Sequence, residues 1–205
     1  MTTAVVAPPK EIRKERRFRA DQLRKSRQGF TAFPKTWVAF RHIVGANIVI
    51  RTIHPDDEPM MVEFHKTLSD YSVHFRYFGA VSLRERTLHE RLRRHCSVDC
   101  MRELALVAIL DQSDERQILG VGRLFKNPSR NDAEFALLIA DPWQGKGLGT
   151  ELLKLLVRLG RRSGLARIVG HILDGNTAMR RASERAGFKL QFNSAIGEWL
   201  AVIDF

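Results

Sequence analysis

The 205-residue chain has only two cysteines, Cys96 and Cys100, so no disulfide framework is indicated and a reduced, cytoplasmic setting is the simplest expectation. Long apolar runs are absent too. The longest, "LALVAIL" from Leu104 to Leu110, spans seven residues, far fewer than a bilayer crossing requires, so no membrane partner is expected. The opening "MTTAVVAPPK" has neither the basic start nor the long apolar segment of a secretion signal. No repeat and no low-complexity tract interrupts the chain. The "HCSVDC" stretch gathers His95, Cys96 and Cys100, but no second cysteine pair supplies a four-ligand set, so no metal is expected.

Basic charge is abundant, and it is unevenly placed. The formal net charge is +11, and residues 10–27, "KEIRKERRFRADQLRKSR", hold nine Lys or Arg against three acidic residues. Ile12, Phe18 and Leu23 are too few to form a buried face, so residues 1–45 read as a basic arm or extension. Such an arm offers contacts to nucleic acid, an anionic surface or an acidic partner, with a solvated extension as the simpler reading.

Residues 46–205 read as one mixed α/β domain. "NIVIRTI" alternates like a strand, and "HPDDEPMMVEFHKTLSD" places Met61, Phe64 and Leu68 on one helical stripe. "LRERTLHERLRRH" reads as a second, basic helix. "RELALVAIL" and "QILGVGRLFK" suggest an antiparallel hairpin around "DQSDER", with "DAEFALLIA" as the next strand of a meander. Leucine spacing gives a helix over 148–162, and "ARIVGHIL" a strand. Asn176 caps a helix with Met179, Ala182 and Ala186 inward, Gly187 ends it, and "FKLQF" and "GEWLAVIDF" close the sheet.

Between the "DAEFALLIA" strand and the 148–162 helix lies "ADPWQGKGLGT", with Gly145, Gly147 and Gly149 at alternate positions. A glycine loop opening a helix lets backbone amides converge on a phosphate, helped by the positive helix end. The nucleotide-triphosphate loop and the dinucleotide fingerprint both fail here on spacing and position. What fits is Gln144-x-x-Gly147-x-Gly149, which resembles the acetyl-coenzyme A loop of the GNAT superfamily of N-acetyltransferases. "GNTAMRRASERAGFKL" resembles that family's second signature, an Asn-led helix ending in Gly-Phe.

The resemblance implies a GNAT fold, a mostly antiparallel central sheet flanked by helices, over about residues 47–205. It implies acetyl-CoA as cosubstrate, with Leu137, Leu138, Ile139, Gln144, Gly145, Lys146, Gly147, Leu148, Gly149, Thr150, Asn176 and Arg180 binding it. Arg181 is an alternative to Arg180. Glu134 is the expected general base for an incoming amine, often through water in related enzymes; the plainer reading is a strand carboxylate paired with Arg123. The position that often carries an acidic tyrosine is Ser183, so no general acid is assigned. His171 reads as structural, Trp143 as a packing residue and "FRYFG" as core or as part of an acceptor channel.

A finer resemblance, carried by "IRTIHPDDEPMMVEFHKTLSDYSVHFRYFG" and "AEFALLIADPWQGKGLGT", is to the acetyltransferase domain of bacterial protein-lysine acetyltransferases. It implies a protein lysine as acceptor, with acyl-CoA synthetases as the expected partners. A small amine acceptor, or an acyl-CoA-binding regulatory module whose arm contacts nucleic acid, are the competing readings.

Overall fold

The computed structural model describes residues 29–112 and 115–205. The first helix, α1 (Glu58–Lys66), is entered through a 3-10 turn at Pro55–Asp57 and follows strands β1 (Val38–Ile43) and β2 (Ala46–Thr52). Three further helices come next: α2 (Asp70–Tyr77), α3 (Leu83–Arg86) and α4 (His89–Cys96). The long hairpin β3 (Glu103–Gln112) and β4 (Glu115–Lys126) leads to β5 (Asp132–Ile139), a 3-10 turn at Asp141–Trp143, and α5 (Leu148–Arg162). The chain ends with β6 (Arg167–Leu173), α6 (Thr177–Arg185), β7 (Lys189–Asn193) and β8 (Glu198–Asp204).

One eight-stranded sheet runs β1-β2-β3-β4-β5-β6-β8-β7, and every neighbouring pair is antiparallel except β5 and β6. This is the mixed α/β domain that the element order suggests, with the mostly antiparallel sheet that the resemblance implies. Both faces of the central strands are covered, which is why β3 is buried at six successive positions, Leu104–Ile109, instead of alternating. On one face α5 lays Leu148, Leu152, Leu155, Leu156 and Leu159 against Leu124, Phe135 and Leu137. On the other, α1 and α4 bring Met61, Phe64 and Leu92 against Val107, Val121 and Leu138. None of the described helices is long and apolar enough to cross a membrane.

Three expectations need correction. The boundary at residue 45 falls in the turn between two paired strands: β1 pairs with β2 from Val38↔Arg51 to Ile43↔Ala46. Upstream of it, Phe33 is 2% exposed in the main core and donates its N–H to Cys100 O at 2.8 Å. Arg41 ties β1 to Glu151 of α5 at 2.5 Å. The folded sheet therefore includes this segment; the basic stretch of residues 10–27 lies outside the described residues. The 83–95 stretch is two helices, because Ser82 caps α3 in a capping box and the chain leaves helical geometry at Thr87 and Leu88. Helix α2 was not anticipated at all. Ser69 caps it by accepting from Ser72 N, and it stops at Phe78, which adopts a left-handed conformation (φ 59°).

Candidate active site

Strands β5 and β6 pair only over Asp132↔Arg167, Ala133↔Ile168 and Glu134↔Val169, and then part. Ala140 donates its N–H to Leu119 O, and the β4–β5 register is unbroken from there. The alternation of an antiparallel ladder then assigns Leu138, Ala136 and Glu134 to hydrogen bonds with β4 and aims the backbone groups of Phe135, Leu137 and Ile139 toward β6. Beyond Glu134 no β6 residue meets them. The result is a cleft of about 410 Å³ at the point of divergence.

The glycine loop forms one end of that cleft. Gly145 (φ 72°) and Gly147 (φ 89°) both sit in the left-handed region, where a side chain is strained. Gly147 is the N-cap of α5, and no side chain caps the helix, so the N–H groups of its first turn keep their donor capacity. A Cβ on Gly147 would meet nothing within 4 Å, and the residue lines the cleft. A Cβ on Gly149 would approach Leu137 Cδ2 at 3.3 Å. The cradle is therefore bare backbone in front of a 15-residue helix, which fits the phosphate groups of a coenzyme A.

Gln144 lines the cleft and also braces the loop. Its Nε2 donates to Ser72 Oγ at 2.8 Å, to Ile139 O at 3.1 Å and to Asp141 Oδ1 at 3.1 Å. Asp141 in turn accepts from Ser72 Oγ at 2.7 Å and from Ser69 N at 3.2 Å. This network fastens the glycine loop to both β5 and the N-terminus of α2.

Other sequence-predicted residues are sorted by the geometry. Gly145, Gly147, Gly149, Thr150, Asn176, Leu137, Leu138 and Ile139 all line the cleft. The Leu138 backbone is engaged with β4, so only its side chain faces the opening. Leu148 is fully buried in the core and can contribute through its N–H alone. The Lys146 ammonium rests over the Trp143 ring, 4.9 Å from its centroid. Asn176 caps α6 by accepting from Met179 N at 3.0 Å. Arg180 faces away, 3.7 Å from Asp174 and stacked on Trp199, whereas Arg181 and Arg185, one turn apart, line the cleft. Ser183 is fully buried on the inner face of α6 and does not line the cleft.

Glu134 is exposed and lines the cleft where the two strands part. The pairing with Arg123 does not occur: Arg123 is buried, bonded to Glu103 and donating to His95 O at 2.7 Å. Among the described residues Glu134 has no side-chain ion pair. Sequence reasoning reached the α2 wall only in part: "FRYFG" reads as core or as part of an acceptor channel, while Tyr71 was not foreseen. Tyr71, Phe75, Arg76 and Phe78 of α2 and its cap line the cleft, with Tyr71 packed edge-on against Phe75 at 4.5 Å. His171 joins them from β6, 3.3 Å from Glu198. The position of His171 beyond the last β5–β6 pair is the signal that could have found it. Cys96 is buried in the α1/α4 core, which pushes its thiol up to about 11, while Cys100 packs against the other core.

Comparison with known proteins agrees with this geometry. Residues 47–189 match the domain described as Acetyltransferase (GNAT) domain. Acetyltransferase PA5475 of Pseudomonas aeruginosa is 28% identical over 144 residues, 70% of this chain and 76% of that protein. The L-methionine sulfoximine/L-methionine sulfone acetyltransferase of Pseudomonas paraeruginosa is 34% identical over 76 residues, 35% of this chain and 44% of that protein. Among solved structures, the GNAT domain of S. lividans PAT superposes with a TM-score of 0.73 at 23% identity, covering 84% of this chain and 99% of that one. A parted β5–β6 pair, a bare glycine cradle and a domain match over most of the described residues lead to one assignment: the chain belongs to the GNAT acetyltransferase family.

Proposed function

We propose that this GNAT acetyltransferase transfers the acetyl group of acetyl-CoA to a protein lysine side chain in a cytoplasmic setting, by direct attack in a ternary complex. The observation that carries the reading is Glu134, an exposed carboxylate without an ion-pair partner at the point where β5 and β6 part. Acetyl-CoA supplies an activated thioester; everything else is done by the chain. The N–H groups at the start of α5, with Arg181 and Arg185, hold the phosphates. The outward-facing backbone groups of Leu137 and the N–H of Ile139 align the extended arm of the cosubstrate, and an N–H there polarises the reacting carbonyl. A lysine with pKa near roughly 10.4 arrives protonated, and Glu134 takes that proton, directly or through one water. The exposed aromatic wall of Tyr71 and Phe78 suits the approach of a folded partner better than closure over a small amine.

The test is acetyl-CoA turnover by thiol release, with an acyl-CoA synthetase as acceptor and the modified lysine located by mass. Glu134→Gln is expected to lower kcat by about 10²–10⁴-fold at pH 7.5 while acetyl-CoA affinity holds. The deficit should shrink as pH rises toward the lysine's own pKa, because the amine then arrives neutral. Full activity of Glu134→Gln at pH 7.5 would remove the assigned base. A free amine acceptor is the second reading, favoured by the relative named for L-methionine sulfoximine; turnover of free amines and none of protein lysines would select it.

A further inference from the structure

Arg76 is a half-buried cation in the wall of a cleft, and among the described residues it has no ion-pair partner. It lines both the main cleft and a small chamber of about 30 Å³ behind it, whose other lining residues include His65, Tyr77, His95 and Arg123. Among the described residues no carboxylate forms an ion pair with it. Its guanidinium lies over the Tyr77 ring at 5.1 Å, with Arg91 over the same ring at 5.3 Å. Arg76 thus shares the Tyr77 ring with Arg91 and the chamber with Arg123. The two nearby histidines do not offset this, and Arg123 already has Glu103.

The cleft as a whole repeats the imbalance. Its lining contains Arg76, Arg181 and Arg185 against a single acid, Glu134. Arg181 and Arg185 stand on α6, beside the glycine cradle's side of the cleft, where the cosubstrate's phosphates are expected. Arg76 stands on α2, on the acceptor side, where the field of Glu134 reaches it. Burial is the main influence disfavouring its charge, Arg123 and Arg91 act the same way, and Tyr77 and Glu134 offset them only in part, so a further anion at the guanidinium would be favourable. An amine acceptor carrying only positive charge would meet that guanidinium with repulsion. An acceptor that also carries a carboxylate close to its amine would offset it, through a charge-assisted and geometrically selective pair.

We propose that Arg76 is the acceptor-selecting residue of this site, and that it takes a carboxylate which the acceptor carries close in space to the amine that is acetylated. The carboxylate belongs either to an Asp or Glu side chain beside the target lysine or to a free amino acid. This rests on the amine-acetylation reading above.

The test uses the full chain and four probes: a lysine peptide with an adjacent Asp, the same peptide with Asn, L-methionine sulfoximine, and its carboxamide. For wild type, kcat/KM is expected to favour the Asp over the Asn peptide by about ten- to a hundred-fold, the usual reach of one charge-assisted contact. In Arg76→Gln the same ratio should fall to near one, and Arg76→Lys should retain part of it. A structural role for Arg76 would lower both rates together and leave the ratio unchanged. The amino acid pair responding and the peptide pair not would assign the carboxylate to a free small molecule; the reverse would assign it to a protein. A ratio near one in wild type for both pairs, or a ratio that survives Arg76→Gln, overturns the assignment. No turnover of any probe, with acetyl-CoA still bound, overturns the amine-acetylation reading itself.

Discussion

Replacing Gly170 by alanine tests the packing that holds β5 and β6 at their point of divergence. Gly170 lies on β6 one residue past the last β5–β6 pair, opposite Ala201 of β8. A Cβ built there would fall 2.2, 2.4 and 2.6 Å from Cε1, Cζ and Cδ1 of Phe135. Ordinary carbon contacts lie near 3.5–4.0 Å, so the ring must retreat by more than about 1 Å. It has little room: Phe135 is 5% exposed and packs edge-on against Phe188 at a centroid distance of 5.0 Å. Overpacking of this kind costs about 1–3 kcal/mol, and the gain from losing a strand glycine returns roughly 0.5–1 kcal/mol at most. In a domain of this size each kcal/mol moves Tm by about 2–4 °C, so Gly170→Ala should lower Tm by a few degrees. Thermal unfolding of Gly170→Ala, Phe135→Leu and the double variant closes a double-mutant cycle. The double variant should be more stable than the sum of the singles predicts, because the smaller side chain makes room for the methyl. The ring also lines the cleft, so the single variant should raise KM for acetyl-CoA. An unchanged Tm in Gly170→Ala, or strict additivity in the cycle, would refute the account.

Two more outcomes follow from the same geometry. Gly147→Ala should lose about 1–2 kcal/mol from its left-handed backbone and raise KM for acetyl-CoA at least tenfold, whereas Gly45→Ala, strained in the same way (φ 77°) but remote from the cleft, should lose stability alone. His65 and His95 are both held at about 4 by burial, with Arg86, Arg91 and Arg123 pressing His65 the same way. Their folded values lie below the unfolded 6.5, so the unfolded chain binds more protons in between, and stability is full above about pH 6.5 and lost as pH falls toward 4. Urea unfolding across that window should give a slope that His65→Gln flattens by up to about 1.4 kcal/mol per pH unit; an unaltered slope would exclude His65 as a source.

Where side chains repeat with the period of their element, the sequence was legible. The leucines of α5 set its limits at 148 and 162, and Asn176 marked the start of α6. Helix α2 escaped because "DYSVHFRY" buries only Ser72 and Val73, too little for a periodic stripe. Strand β1 escaped for a related reason: an edge strand with exposed and half-buried residues in alternation has no buried face to announce it. At the site, backbone positions were easier to foresee than side-chain directions. Arg180 and Arg181 are neighbours in sequence but about 100° apart around a helix, and only the docking of α6 decides which faces the cleft. Arg76 lay inside "FRYFG", which read as core by composition and as part of an acceptor channel only by resemblance, and α2 is what places the segment along a wall.

An open sheet of eight strands has two outer margins, here β1 and β7. The parting of β5 from β6 opens a further edge in the middle, which presents the backbone groups of Phe135 and Leu137 and the N–H of Ile139, the Ile139 carbonyl being taken by Gln144. At an outer margin such a row invites any passing peptide and becomes an aggregation site. Inside the sheet the same row lies in a narrowing wedge whose two sides are held together by three residue pairs at its apex. A guest must enter end-on, and a peptide bearing side chains on alternate faces would meet Phe135 on one and Ala136 and Leu138 on the other. The wedge thus admits slender, unbranched guests and turns polypeptide away, so the protein carries an open hydrogen-bonding strand without being adhesive.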